Sequence, residues 1–484
     1  LLAQHQAAME PVKLPTHLSQ VTLWAYPDCR PIVPRAERQP PFVDRYLMLG
    51  GDNQIEARAA DDGRLLWTTQ LILLGELAVQ SEVDRELQTP VARIRRGPTV
   101  AARGAVAGQT FILNSSQGLH AVGLVTGRRL WSRRFEPPAL AHQEVAGSDA
   151  WLWAEGGYVA TVDRRGRLEV APADAGQSIL WRRSNPQRQW YWVRIRGSTV
   201  VAIDPDLERV DLFQLEDGTH RGFCRFRQLP DKVSLTLFDE VICGPVAGNE
   251  VAAFDLATPG IERWRVAMPA DLCQIFKPAP DRLALSDRAG RLMIVDPQTG
   301  RVLHETRLNA CAEGVTDGVV RDGILYACGF QVRPWGQPDE AGPTSGTGRG
   351  PDFARQRWGL GAVRLSDNAV LWQIADIGPR PFLNADVLRA VDGLVPVVVY
   401  RPRGTAPRTG IQVGGVDAPL RGAGTLELTL YDRVDGQQVT DTAIVELPED
   451  PAAGLVADVR VWPQAIDVVI GAVTVRFPLT GTAR

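Results

Sequence analysis

The sequence predicts an all-β chain folded as a β-propeller, a radial array of small antiparallel sheets, and three observations carry that expectation. The first is an internal repeat in which a turn residue is followed, four or five positions later, by an aromatic slot. Its copies are Gly63 with Trp67, Gly127 with Trp131, Gly176 with Trp181, Gly218 with Phe223, Gly260 with Trp264, Gly300 with His304, Asn368 with Trp372, and Gly436 with Thr440. The second is the spacing between turn residues, 64, 49, 42, 42, 40, 68 and 68, whose short values fit a four-stranded blade of roughly 40–45 residues. The third is strand-type alternation throughout, with no helical periodicity.

The repeat has a physical cause. A tight hairpin needs a residue with left-handed backbone, which explains Asp-Gly and Thr-Gly ahead of an alternating run. Asn368 stands where the other copies have Gly, and Asn is the other residue that tolerates this conformation. The strand after the turn then offers a Trp on one face, and burying an indole removes on the order of 200 Å² from water. Five of the 13 Trp fall in this one slot.

Taken in chain order, residues 1–20 form an extension expected to be the tail of an upstream region, since the chain begins at Leu1. Residues 21–484 form the propeller. Val21–Tyr26 is an orphan strand carrying Trp24, and Ala457–Trp462, Ile466–Gly471 and Ala472–Phe477 follow the last turn. Pairing these two ends would remove an open sheet edge. Within the short repeats, four strands are legible. Examples are Ser234–Phe238, Glu240–Gly244 and Glu250–Asp255 before the Trp264 strand, and Cys273–Lys277, Arg282–Ser286 and Arg291–Asp296 in the next unit. The long repeats locate insertions near 72–110, 333–358 and 401–424. The first includes a polar excursion over 75–88 that reads as one short helix. The other two are Gly/Pro-rich and read as surface loops. The expected blade count is eight, with seven to nine admitted, because eight turns plus one clasped blade would give nine.

Composition narrows the function classes. Lys and Arg number 53 against 56 Asp and Glu, a net charge of −3, which lacks the basic excess of a nucleic-acid-binding protein. No apolar stretch reaches the length of a transmembrane helix, and no signal peptide opens the chain. The six Cys are too scattered for a disulfide scaffold. They read as buried thiols, with a Cys311–Cys328 bridge left open for an oxidising compartment.

The turn units Val125-Thr126-Gly127-Arg128-Arg129-Leu130-Trp131 and Asp296-Pro297-Gln298-Thr299-Gly300-Arg301-Val302-Leu303 resemble the PQQ-like (quinoprotein-type) propeller repeat. The resemblance covers about residues 43–477. It implies the fold strongly and the function weakly, because that family holds quinone-dependent dehydrogenases, a propeller lipoprotein of outer-membrane protein assembly, and bacterial propellers without assigned roles. It also favours a periplasmic or secreted location over a cytoplasmic one. Quinone enzymes of the family hold pyrroloquinoline quinone on the axis with a metal ion, many beneath a ring of adjacent cysteines. This chain has no adjacent Cys pair, and no carboxylate here matches the metal ligands or the base by motif.

Other candidate chemistry reads as structure. The six His stand singly without zinc-type spacing. Gly346–Gly350 lacks the Lys-Ser/Thr of a phosphate loop, and Asp61-Asp62-Gly63 and Asp435-Gly436 lack further carboxylates at calcium-loop spacing. Trp151-Leu152-Trp153 and Trp190-Tyr191-Trp192 read as packing between blades, with a sugar- or peptide-stacking surface as the other reading. Arg349, Arg355 and Arg357 of the second insertion are the candidate partner contacts. The expectation is therefore a non-catalytic, protein-binding scaffold that needs no cofactor. The alternatives are a pyrroloquinoline-quinone and divalent-metal oxidoreductase and a carbohydrate-binding propeller.

Overall fold

In a computed structural model, the described residues are 17–18, 22–25, 29–31, 34–35, 45–50, 54–59, 63–70, 103–114, 118–134, 151–162, 167–176, 178–184, 190, 192–203, 209–226, 235–332, 356–378, 393–402, 422–450, 456–462, 465–470 and 473–480. Among them there is no α-helix, and the sole helical turn is the 3-10 segment Asn309–Cys311. The strands form nine sheets, numbered here along the chain. Sheet 1 runs Cys29–Pro31, Arg45–Gly50, Gln54–Ala59, Leu65–Gln70. Sheet 2 runs Arg103–Ala107, Thr110–Asn114, Gly118–Gly123, Arg129–Arg134, with Pro34–Arg35 added in parallel on Arg103–Ala107.

Sheet 3 is Trp151–Glu155, Tyr158–Val162, Leu168–Pro172, Trp181–Arg183, and sheet 4 is Trp192–Arg196, Thr199–Ile203, Arg209–Gln214, His220–Arg225. Sheet 5 comprises Thr236–Leu237, Val241–Ala247, Glu250–Asp255, Glu262–Ala267. Sheet 6 comprises Leu272–Ala279, Arg282–Asp287, Arg291–Val295, Val302–Arg307. Sheet 7 comprises Val315–Arg321, Ile324–Val332, Gln356–Arg364, Ala369–Ile374, and sheet 8 has Leu394–Pro402, Gly422–Asp432, Ala443–Asp450.

Sheet 9 takes Val456–Trp462, Ala465–Ile470 and Val473–Thr480 from the C-terminal end and completes itself with the N-terminal strands. His17 and Leu18 pair with Thr480 and Leu479, and Thr22–Ala25 pairs with Val473–Arg476. The orphan Trp24 strand thus finds the place its sequence suggested. Sheet 9 is also why the count reaches nine, the upper end of the expected range: eight sheets carry a turn unit, and the ninth is the clasped one.

First strands lie innermost. Arg103–Ala107, Trp151–Glu155 and Trp192–Arg196 are successive neighbours, as are Thr236–Leu237, Leu272–Ala279 and Val315–Arg321. With both faces of each of sheets 2 to 8 in an apolar cluster, neighbouring residues of one strand serve opposite clusters, the period-two rule applied to a fully buried strand. In sheet 4, Val200, Ala202 and Phe213 pack toward sheet 3, while Val201, Ile203 and Leu212 pack toward sheet 5. Eight such apolar clusters join sheets 1 to 9 in sequence.

The second and third insertions sit inside sheets, whereas the first joins Gln70 of sheet 1 to Arg103 of sheet 2. The second connects Val332 to Gln356, on the second and third strands of sheet 7, and the third connects Pro402 to Gly422, on the first two of the three strands of sheet 8; in both sheets the later strand leads into the turn unit. Their sequence-derived limits were too wide: Gln356, Arg357 and Trp358 pair with Val332, Gln331 and Phe330, and Arg401, Pro402 and Gly424 are strand residues. The same holds at the first insertion, where Arg103–Ala107 is already sheet 2. The expected helix over 75–88 lies outside the described residues.

Candidate functional site

The repeat positions form a recurring joint between sheets. Each indole of the slot lies on the turn Gly of the next sheet and donates Nε1–H to the carbonyl three residues before that Gly. Trp67 donates to Leu124 at 3.1 Å, Trp131 to Ala173 at 2.9 Å, Trp181 to Leu215 at 2.7 Å, Trp264 to Pro297 at 2.9 Å and Trp372 to Arg433 at 3.0 Å. The Gly is needed because the ring leaves no room for a side chain. A Cβ on Gly127 would sit 2.6 Å from Trp67, on Gly176 2.1 Å from Trp131, on Gly218 2.5 Å from Trp181, and on Gly300 and Gly436 2.6 Å from Trp264 and Trp372. In three joints the residue two past the indole also binds the Gly carbonyl: Thr69 to Gly127, Arg133 to Gly176 at 3.1 Å, and Arg183 to Gly218 at 2.9 Å.

Seven of the turn residues have the left-handed φ expected of them, from 60° at Asn368 to 84° at Gly260. Gly176 does not, so at this position close approach of Trp131, not backbone conformation, demands Gly.

Three of the eight units depart from the pattern, the last of them because its slot holds the buried Thr440. Register places Gly222, not Phe223, opposite Leu212, the place where the other sheets put their aromatic residue. One residue of offset turns Phe223 to the other face, where Arg209 lies over its ring at 4.0 Å. Pro259 of sheet 5 fills the space above Gly222, 3.0 Å from where a Cβ would stand. Between sheets 6 and 7, His304 holds the slot and pairs through Nδ1 with Asn368 Oδ1 at 2.9 Å. That seam is closed by backbone instead. A Cβ on Gly359 would fall 2.1 Å from Ala310 O, in the 3-10 turn after sheet 6, while Gln373 Oε1 accepts from Ala310 N at 2.9 Å.

A second recurring position escaped the sequence reading. The residue just before the one opposite the slot is Glu56, His120, Glu169 and Asp211 in sheets 1–4, all buried, but Ala252, Met293 and Gly361 in sheets 5–7. Glu56 pairs with Arg58 at 2.7 Å, and Glu169 with Arg133 of sheet 2 at 3.0 Å and Arg182 at 2.6 Å. Asp211 accepts from Arg209, His220 and Trp190 Nε1. His120 Nδ1 meets Ser132 Oγ at 3.0 Å. Buried carboxylates held this way satisfy the rule that interior charge be paired. An acidic residue in an alternating strand reads as solvent-facing, so the sequence offered no signal.

Trp153 and Trp190 are buried between sheets 3 and 4, with Arg194 over the Trp153 ring at 4.5 Å. Asp435 Oδ1 accepts from Gln437 N at 2.8 Å and caps the turn. Among the described residues no group of three or more His, Cys, Asp or Glu is placed to hold a metal ion. Burial pushes the Cys224 thiol up to about 11 and Cys311 to about 12, with Cys243 and Cys328 higher still. A Cys311–Cys328 bridge is ruled out by direction. Cys311 Cβ stands 2.8 Å from the Cβ position of Gly329, so the adjacent Cys328 points to the opposite face of the strand, into the cluster with sheet 8. Of the candidate contacts, Arg357 lies in strand Gln356–Arg364, opposite Gln331, while Arg349 and Arg355 fall outside the described residues.

Residues 33–221 match the family model described as outer membrane protein assembly factor BamB, and their repeat is of the PQQ-like kind. Similar solved structures include BamB from Moraxella catarrhalis, at 16% identity over 59% of this chain and 78% of that one, with a TM-score of 0.37. The quinohemoprotein alcohol dehydrogenase ADHIIG from Pseudomonas putida HK5 shares 13% identity over 79% and 74% of the two chains, TM-score 0.42. The computationally designed Ika8 protein shares 10% over 94% and 97%, TM-score 0.45. No curated protein matches the chain.

Proposed function

We propose that this chain is a non-catalytic PQQ-like propeller that serves as a protein-interaction scaffold on the periplasmic side of a membrane. The observation that carries the reading is the equivalent placement of its two longest connections within sheets. Both lead into the strand that precedes the turn unit, Gln356–Arg364 in sheet 7 and Gly422–Asp432 in sheet 8, so both enter at equivalent places of adjacent sheets. Loops carried by a rigid scaffold are where recognition concentrates. The assembly-factor family model over residues 33–221 supports a protein partner and that location. The candidate contacts Arg349 and Arg355 belong to the sequence of the first of these connections and Arg357 to the strand that follows it, and Arg is a favoured interface anchor.

Deleting residues 334–354 or 404–420 separately, with near-ultraviolet dichroism as the folding control, tests the proposal by quantitative co-purification. Loss of the same partner from both deletions is the expected result. Retention of every partner by a folded double deletion overturns it. Loading the protein with pyrroloquinoline quinone and Ca²⁺ and following dye reduction by alcohols and sugars separates the scaffold from the oxidoreductase reading: turnover would reject the scaffold as the whole function.

A further inference from the structure

The residue three places before the turn residue is Ala60, Leu124, Ala173, Leu215, Ala257, Pro297 and Leu365 in the first seven units, and Arg433 in the eighth. The joint uses the carbonyl of this residue, which in sheet 8 accepts from Trp372, so nothing in the repeat asks for a charged side chain there. Arg433 is nonetheless buried, 7% exposed. Its guanidinium reaches back to sheet 7, where Nη1 meets Asp322 Oδ2 at 3.4 Å, and Arg321 Nε donates to the same oxygen at 3.2 Å. Two guanidinium groups thus converge on one carboxylate, and that carboxylate is 70% exposed. Arg433 Cζ also lies 5.9 Å from the centroid of the Tyr326 ring. The Tyr326 hydroxyl is buried and has no hydrogen-bond partner among the described residues. Burial pushes this phenol up to about 12, against the pull of the Arg433 and Arg321 charges, so it is a donor at neutral pH. Asp432, the other carboxylate near it, caps its own turn, accepting from Val434 N at 2.6 Å.

We propose that Arg433, Arg321 and Tyr326 form an oxyanion-binding site whose place is held in the free protein by Asp322. Asp322 leaves at little cost, because its carboxylate is already mostly in water and sits in the two-residue turn between Arg321 and Ile324. The Arg433 guanidinium cannot follow it, since that residue's backbone is fixed in the joint with Trp372. A carboxylate or phosphate arriving from solvent takes both guanidinium groups, in charge-assisted bonds, and also accepts from the Tyr326 hydroxyl, which Asp322 does not. The site stands at the ends of strands Ile324–Val332 and Gly422–Asp432 opposite to the long connections, so it does not rest on the scaffold reading.

Isothermal titration of the full chain with inorganic phosphate and with acetate tests this. Asp322→Asn is expected to bind at least one of the two tenfold more tightly than the unaltered chain, and the tighter anion names the group the site takes. Arg433→Leu, which installs the residue that sheets 2, 4 and 7 carry at this place, is expected to fold and to abolish binding, alone or combined with Asp322→Asn. Tyr326→Phe added to Asp322→Asn weakens binding severalfold. Asp281→Asn removes the same charge from a 69% exposed carboxylate, paired with Arg282 on the corresponding turn of sheet 6, and leaves binding unchanged. Equal gains from Asp322→Asn and Asp281→Asn, no gain from Asp322→Asn, or binding retained after Arg433→Leu overturns the proposal.

Discussion

The seam between sheets 2 and 3 and the seam between sheets 6 and 7 solve one problem by opposite means. In the first, a large side chain is brought to a residue without one: Trp131 covers Gly176 and anchors its ring nitrogen on Ala173. In the second the slot holds His304, half-buried, and closeness comes from Gly359 of sheet 7 meeting the backbone of Ala310, in the 3-10 turn after sheet 6. The first joint concentrates its energy in one residue that can be removed. The second spreads it over main chain that cannot yield, so the two should fail in different ways.

The largest expected effect is at the indole. Trp131→Ala removes a 4% exposed ring and its hydrogen bond, and should cost about 3–5 kcal/mol by chemical denaturation. His304→Ala, at the equivalent place in the other seam, should cost about 1 kcal/mol, since it loses one partly exposed hydrogen bond. Equal losses would show that the slot is not where the first seam is held.

Next come the glycines. Gly359→Ala drives a methyl to 2.1 Å from the Ala310 carbonyl, where only backbone can move, and should cost about 3 kcal/mol. Gly176→Ala meets Trp131 at the same 2.1 Å, but a side chain is in the way, and about 2 kcal/mol is expected. The pair Gly176→Ala with Trp131→Ala sharpens the contrast. With the ring gone the methyl has space, so the double variant should be more stable than the sum of the single costs. Additivity within error would mean that the clash is not with the indole. Gly260→Ala, whose nearest neighbour is Phe223 O at 3.6 Å, pays for its 84° φ alone, about 1 kcal/mol.

These positions also mark how much was legible beforehand. Gly and Trp are visible at a fixed spacing because a tight turn and a large ring each admit few residues, and that spacing was enough for the sheets, their order and the terminal clasp. Phe223 shows the limit. The bulge between Leu212 and Phe213 recurs at the same place in sheets 1, 2, 5, 6 and 7, so sheet 4 keeps the common register with Gly222 in the slot, and the aromatic residue one place beyond it misled the reading. Glu56, Glu169 and Asp211 were opaque for another reason: their partners come from the same strand, the next strand or the preceding sheet, and a buried carboxylate looks like a surface one until Arg133 or Trp190 is seen beside it. Gly359 carried no signal in the sequence, because a contact 49 residues away at Ala310 is what fixes it. The two long connections were legible as length and composition, but only topology placed them in adjacent sheets.

The smallest expected effect lies at Asn368, where two terms oppose. Its φ of 60° is strained for a residue with a Cβ, and Asn368→Gly should relieve about 1 kcal/mol. The same change removes the Oδ1 acceptor of His304 Nδ1, a loss of about 1 kcal/mol. A shift within about 0.5 kcal/mol of zero is expected. His304→Trp added to Asn368→Gly rebuilds the indole-on-glycine joint in a seam already closed by main chain. If the two means of closure are independent, the double variant gains stability; if Gly359 has drawn the sheets too close for a ring, it loses stability. The sign of that one measurement decides whether the sixth seam lacks its indole by drift or because it has no room for one.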